Sequence, residues 1–275
     1  MLLSDRMQAV VGLVKPCDKV ADIGCDHGYI AMELIRRHIC NHVIAMDINH
    51  GPLETAKSNI RDYEMQDYIV TRLSDGTKAL QQGEVDGIIC AGMGGRLIMH
   101  ILTEGKSLVQ DMQQLILQPQ SEIAEVRSFL REAGFRIEKE DMVCEDGKYY
   151  PMMRVIPGGF GKQEEYLAEN LAEKRKKKES TRVEQTDEGN PPSISEVSKE
   201  EAEKLKRIQD TYGPYLLKKS HPILKQYLLW QKENLENIRG NLMNQKKPNA
   251  RQQYRIAELD GELSDIVFCL YNYFV

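Results

Sequence analysis

Ala21-Asp22-Ile23-Gly24-Cys25-Asp26-His27-Gly28 stands between a short apolar run and a helical pattern. Lys19 to Ile23 reads as a buried strand, and Tyr29 to His38 as a helix with Ile30, Leu34 and Ile35 on one side. A glycine-rich turn between such elements brings backbone N–H groups to a ligand at the helix N-terminus. Asp47 follows Asp22 at the end of a second apolar strand, His42 to Met46. An acidic residue there suits hydrogen bonding to ribose hydroxyls. The opening unit therefore reads as a nucleoside-cofactor site.

Outward from it, Ser4 is placed to cap a first helix that Lys15-Pro16 ends. Pro52 suits the first turn of a helix to Tyr63. Tyr68 to Leu73 is a third strand, closed by Ser74-Asp75-Gly76; Val85 to Ala91 is a fourth, leading into Gly92-Met93-Gly94-Gly95 and a helix through about Leu108. Gln114 to Gln118 is a fifth strand; Ser121 caps a helix to Ala133, with Gly134 beyond its end. Phe135 to Val143 and Tyr149 to Val155 flank Glu145-Asp146-Gly147-Lys148, a hairpin signal. Five βα units need parallel crossovers, while the seventh strand must run antiparallel to the sixth. That order predicts an α/β fold: a Rossmann-like class I methyltransferase with a seven-stranded sheet whose last strand is antiparallel. The ending hairpin favours S-adenosyl-L-methionine over a dinucleotide.

The chain has 275 residues and a formal charge of −5, enough length for one large domain or two smaller ones. The charge is unevenly spread. Met1 to Ile156 holds 17 Lys+Arg against 23 Asp+Glu, whereas Glu203 to Ile256 holds 12 against 4. A basic segment on an acidic protein suggests a polyanionic partner docking in one place. The six cysteines show no CxxC and no ligand-like histidine spacing, so they read as reduced thiols and no metal is expected. No signal pattern or membrane-length apolar run is seen, which predicts a cytoplasmic protein.

Two domains are expected, 1–158 for the cofactor and 159–275 helical, with a flexible polar insert at about 179–198. Leu224, Leu228, Gln231, Leu235, Ile238 and Leu242 alternate four and three apart. Ile256, Leu259, Leu263, Ile266, Leu270 and Tyr273 do the same, so an antiparallel coiled-coil hairpin is predicted with a turn near Lys247 to Asn249. Lys225, Lys232, Arg239 and Lys246 recur every seven residues, a stripe suited to RNA phosphates or simply a solvated flank.

Asp22, Gly24 and Gly28 would shape the turn around the methionine part of the cofactor. Asp75 and Gly76 lie where its adenine would sit, or form a plain turn; His27 shapes the pocket or contacts substrate. Gly92 and Met93 leave backbone groups open at the sheet edge.

The runs Asp22-Ile23-Gly24-x-Asp26-His27-x-Tyr29, Ala91-Gly92-Met93-Gly94-Gly95 and Leu117-Gln118-Pro119 resemble the bacterial tRNA (adenine-22-N1)-methyltransferases, the TrmK family. Leu3-Ser4-x-Arg6, Asp75-Gly76, Asp146-Gly147-Lys148 and Tyr212-Gly213-Pro214 match as well. The resemblance implies methyl transfer from S-adenosyl-L-methionine to adenine N1 in the tRNA D-loop. It adds Ile48 and Ala91 to the cofactor site and Arg6, Tyr29 and Gln118 to the substrate side. Adenine N1 carries a lone pair, so catalysis reduces to positioning and an acceptor for the adenine amine. Asp26 and the Gly92-Met93 backbone are the expected acceptors, unless Asp26 only binds backbone N–H groups. Methylation of another RNA or a protein, and non-catalytic tRNA binding, are the competing readings. A monomer is expected.

Overall fold

The computed structural model describes residues 3–158, 199–244 and 249–274. Internal contacts divide the chain into two units, Met1–Gln163 and Glu164–Val275. The predicted insert at 179–198 and the stripe residue Lys246 lie outside the described residues.

The first unit runs α1 (Asp5–Leu13), β1 (Cys17–Ile23), α2 (Tyr29–Arg36), β2 (Cys40–Asp47), α3 (His50–Asp62), β3 (Ile69–Leu73), β4 (Gly87–Met93), α4 (Gly95–Glu104), α5 (Lys106–Val109), β5 (Gln114–Pro119), α6 (Ile123–Glu132), β6 (Phe135–Glu145) and β7 (Lys148–Pro157). The strands form one seven-stranded sheet in the order β3-β2-β1-β4-β5-β7-β6. β1 pairs in parallel with β2 and β4, and the β2–β3 and β4–β5 pairs are parallel too. β7 runs antiparallel to both β5 and β6. This is the predicted α/β architecture, with β7 inserted between β5 and β6, but it holds four βα units and not the five expected, because β3 passes to β4 through turns without a helix.

Its central strands are mostly apolar, as strands buried on both faces are, with Asp22 and Gln118 as buried polar exceptions. Ala21, Ile23, Ile88, Ile89, Leu115, Ile116 and Leu117 are all buried. The order reverses between β1 and β4, so the carboxyl ends of those strands open a crevice, the usual ligand position in such sheets. The hairpin turn has Asp146 and Gly147 both at positive φ, 50° and 72°. That geometry matches the two-residue turn that joins twisted antiparallel strands.

Two local expectations need correction. The helix expected through Leu108 breaks at Gly105 into α4 and α5. A Cβ there would collide with Thr77 Oγ1, so close packing selects glycine. Ser121 does not cap α6. Glu122 holds the N-cap position with φ 47°, and Ser121 Oγ instead accepts the Gly95 N–H at 3.2 Å. The hydroxyl thereby satisfies an orphan donor at the start of α4.

The second unit contains α7 (Lys199–Tyr212), α8 (Pro214–Lys218), α9 (Pro222–Met243) and α10 (Ala250–Tyr273). Lys225 Nζ donates to Phe274 O at 3.3 Å, and Arg239 Nε lies 2.5 Å from Asp260 Oδ1. The early part of α9 therefore meets the end of α10, and its later part meets the middle, which makes the pair antiparallel. Leu224, Leu228, Leu235, Leu259 and Ile266 are buried in the seam. Ile238, expected there, is 45% exposed. Asn249 starts α10 with a full capping box to Gln252.

Candidate functional site

The opening turn sits at the carboxyl end of β1, beside the central strand β4. Gly24 and Cys25 N–H both donate to Met46 O, at 2.8 and 2.9 Å, which bends the chain over the end of β2. Gly24 has φ 74°, and a Cβ there would collide with Met93 Cε of β4. That methyl ends a flexible side chain and can shift, so the positive φ is what favours glycine here. Gly28 has φ 75° and serves as N-cap of α2, where an added Cβ would lie 3.3 Å from Ala56 Cβ. Asp26 also adopts positive φ, 47°, without being glycine. A non-glycine residue held there costs on the order of 1–3 kcal/mol, and such strain concentrates at functional sites.

Beneath the turn, Asp22 is 2% exposed, and its Oδ2 has no hydrogen-bond partner. Burial first, then the negative charges of Asp47 and Asp26, push its pKa up to about 7. An unpartnered buried carboxylate oxygen is costly, and a cationic ligand group would relieve both the missing bond and the repulsion. Asp47 ends β2, with Oδ1 accepting the Asn49 N–H at 2.8 Å. Ile48 beside it is 59% exposed, an apolar surface at the strand end. These residues fit S-adenosyl-L-methionine: Asp22 for the ammonium, Asp47 for ribose hydroxyls and Ile48 for a flat apolar ring.

Asp75 and Gly76 follow β3 at the same edge. Asp75 is exposed and ion-paired to Lys78, which holds its carboxyl below the usual carboxylate range. Gly76, at φ 56°, lies against Ile101. Asp26 carries an exposed carboxylate 3.5 Å from His27 Nε2. The His27 and Tyr29 rings stand 5.6 Å apart.

On the β4 side the chain bulges between Ala91 and Met93, where the β4–β5 register shifts. Gly92, at φ 76°, is the extra residue. Its N–H, released from the ladder, donates to Gln118 Oε1 at 3.0 Å. Gln118 is completely buried, and the same oxygen accepts Arg6 Nη1 at 3.2 Å. Sequence reading placed Gln118 and Arg6 on the substrate side without seeing that both brace the Gly92 bulge. Glu145 and Tyr150, which touch Arg6, were missed altogether. Their only signal was the hairpin motif, and that describes a turn rather than a contact.

Lys225, Lys232 and Arg239 belong to the second unit. Lys225 is exposed and the other two are half-buried. Lys232 pairs with Glu236 at 2.5 Å and Arg239 with Asp260. Among the described residues, no group of three or more His, Cys, Asp or Glu is placed to hold a metal. No described helix is long and apolar enough to cross a membrane.

Residues 3–153 match the family model described as a methyltransferase domain. The chain belongs to this methyltransferase-domain family. Over 151 residues it is 35% identical to the tRNA (adenine(22)-N(1))-methyltransferase of Bacillus subtilis, covering 55% of this chain and 63% of that protein. The crystal structure of the B. subtilis m1A22 tRNA methyltransferase TrmK shares the fold, with TM-score 0.71 and 24% identity over 98% of this chain and 99% of that one. A Streptococcus pneumoniae protein solved in complex with S-adenosyl-L-methionine matches with TM-score 0.71 and 25% identity, over 98% and 100% of the two chains.

Proposed function

We propose that this methyltransferase transfers a methyl group from S-adenosyl-L-methionine to N1 of an adenine in tRNA, at position 22 of the D-loop. The observation that carries the cofactor half is the buried, unpartnered Asp22 carboxylate under a turn in which Gly24 and Gly28 both hold positive φ. The likeness to the Bacillus enzyme supports the substrate half. We assign the cofactor to Asp22, Gly24, His27, Gly28, Asp47, Ile48, Asp75, Gly76 and Ala91, within a domain at 1–158. Residues 159–275 form the tRNA-binding helical domain, and the protein works as a cytoplasmic monomer.

When bound, the cofactor supplies a methyl group on a positively charged sulfur, open to attack by the adenine N1 lone pair. Asp22 holds the ammonium and Asp47 the ribose, so the cofactor's reach is set by two strand ends that cannot shift independently. Asp75 is already paired to Lys78, yet a carboxylate has capacity for a further donor such as an exocyclic amine. Asp26 holds an exposed carboxylate in the turn and accepts a hydrogen bond from the target amine, orienting N1. The target base must leave its stack to arrive there. Tyr29 lines the entrance beside His27, and Lys225, Lys232, Arg239 and Lys246 meet phosphates.

Labelled S-adenosyl-L-methionine with bulk unmodified tRNA, followed by nucleoside analysis, tests the proposal. Label in N1-methyladenosine is the expected result. Label in protein or in another nucleoside, or none at all, would overturn it in favour of a different acceptor or a purely binding role.

A further inference from the structure

The Gly92 bulge is braced from outside its own strand pair. Gln118 Oε1 takes two donors, the Gly92 N–H and Arg6 Nη1, and its complete burial leaves it no room to turn. Arg6 is held in turn by Glu145 and Tyr150. Its peptide N–H donates to Glu145 Oε1 at 3.2 Å, its Nε lies 3.9 Å from Glu145 Oε2, and its guanidinium stands 5.3 Å from the Tyr150 ring centroid. The Arg6 N–H belongs to the first turn of α1, where donors lack helical partners, so the Glu145 carboxylate caps a helix from the far end of β6. Four elements, α1, β5, β6 and β7, thus meet in one chain of contacts that ends on the Gly92 turn.

The guanidinium also borders that turn directly. A Cβ on Gly92 would stand 3.3 Å from Arg6 Nη1. Gln118 takes one of the five N–H donors of the guanidinium, and Arg6 keeps part of its side chain in solvent. The remaining donors stand at the carboxyl edge of β4, where the methyl acceptor must approach.

We propose that Glu145 is a positioning residue for methyl transfer: it locks the Arg6 guanidinium beside the Gly92 bulge, where Arg6 donates to an acceptor atom of the target nucleotide. The inference rests on the function proposed above, and Glu145 itself touches neither cofactor nor substrate. Misplacing a positioning group by an ångström lowers rates by about a hundredfold in other enzymes.

The test measures cofactor affinity by calorimetry and steady-state methylation of an unmodified tRNA transcript for Glu145→Ala, Glu145→Gln, Arg6→Ala and the Arg6→Ala/Glu145→Ala pair. Glu145→Ala is expected to lower kcat/KM for tRNA by about ten- to a hundredfold while the cofactor Kd stays within about twofold. Glu145→Gln keeps an acceptor for the Arg6 peptide N–H but not the charge facing Nε, so it should recover only part of that loss. On kcat/KM the double variant should be no worse than Arg6→Ala, because Glu145 acts on the reaction through that guanidinium, while its cap on the position-6 peptide N–H, which Arg6→Ala keeps, shows in stability. An unchanged kcat/KM, additive losses, or a parallel fall in cofactor affinity would overturn the proposal. The side-chain Nε–H resonance of Arg6 in a nitrogen-15 spectrum provides a readout independent of activity. Faster solvent exchange in Glu145→Ala supports the lock even if wild-type protein methylates no tRNA, a result that would sink the functional reading alone. Unchanged exchange overturns the lock.

Discussion

Asp22 is where residue chemistry is most exposed to experiment. Its folded pKa, about 7, lies above the ordinary carboxylate value of 3.8. Between those values the native protein keeps a proton that the unfolded chain has released, so stability falls as pH rises through that window. The loss from this group is at most about 4 kcal/mol. Asp22→Asn should therefore flatten the pH dependence of the apo protein's denaturation midpoint between pH 4 and 8. Cofactor affinity should run the other way, rising from pH 6 to 8 as the carboxylate ionises. The same substitution should weaken cofactor binding by about ten- to a hundredfold, the worth of a charged hydrogen bond. Calorimetric titration at several pH values checks both statements. Asp26 separates binding from turnover. Asp26→Ala should keep cofactor affinity and lose most methyl transfer, whereas Asp26→Gly should also stabilise the fold by about 1 kcal/mol by relieving the positive φ of 47°. Turnover unchanged in both would remove Asp26 from the reaction.

At the scale of elements, periodicity located every strand of the sheet, and its misreadings share one cause. The break at Gly105 follows from Thr77, Ser121 serves α4 instead of α6, and Ile238 is exposed although it keeps the heptad spacing. The first two depend on a neighbour far away in sequence, and the third on how the two helices close, which spacing along one helix does not encode. The buried pair of Arg127 in α6 and Glu140 in β6, 2.8 Å apart, is another such contact. Both side chains are almost fully enclosed, so removing one leaves a buried charge. Arg127→Met alone should cost about 3–5 kcal/mol in chemical denaturation, while Arg127→Met with Glu140→Leu should recover a large share of it. A single-variant loss under about 1 kcal/mol would show that water reaches the pair.

For the whole molecule, charge distribution predicted a polyanion surface in the helical region, and side-chain geometry tempers how that surface works. Two of the three described stripe residues already have carboxylate partners. Exposed pairs of that kind are worth about 0–1 kcal/mol, so phosphates can compete for them, at reduced gain. Replacing Lys225, Lys232 and Arg239 together by alanine should lower the salt slope of tRNA binding by about one to two. A change near three would mean that the carboxylates release both cations completely. An unchanged slope would move the tRNA surface elsewhere.

Sequence alone determined the closing antiparallel hairpin, the acids Asp22 within strand one and Asp47 at the end of strand two, and the glycine turn, because those depend on local backbone preference and on alternation along one segment. Tertiary structure decided what the turn does. It left one oxygen of Asp22 unpartnered, set Met93 against Gly24, and joined Gly92 to Arg6 through Gln118. Glu145 and Arg6 are 139 residues apart in the chain, and no local pattern encodes their meeting. The sheet brings them together because β7 inserts between β5 and β6, which carries the end of β6 back to the first turn of α1.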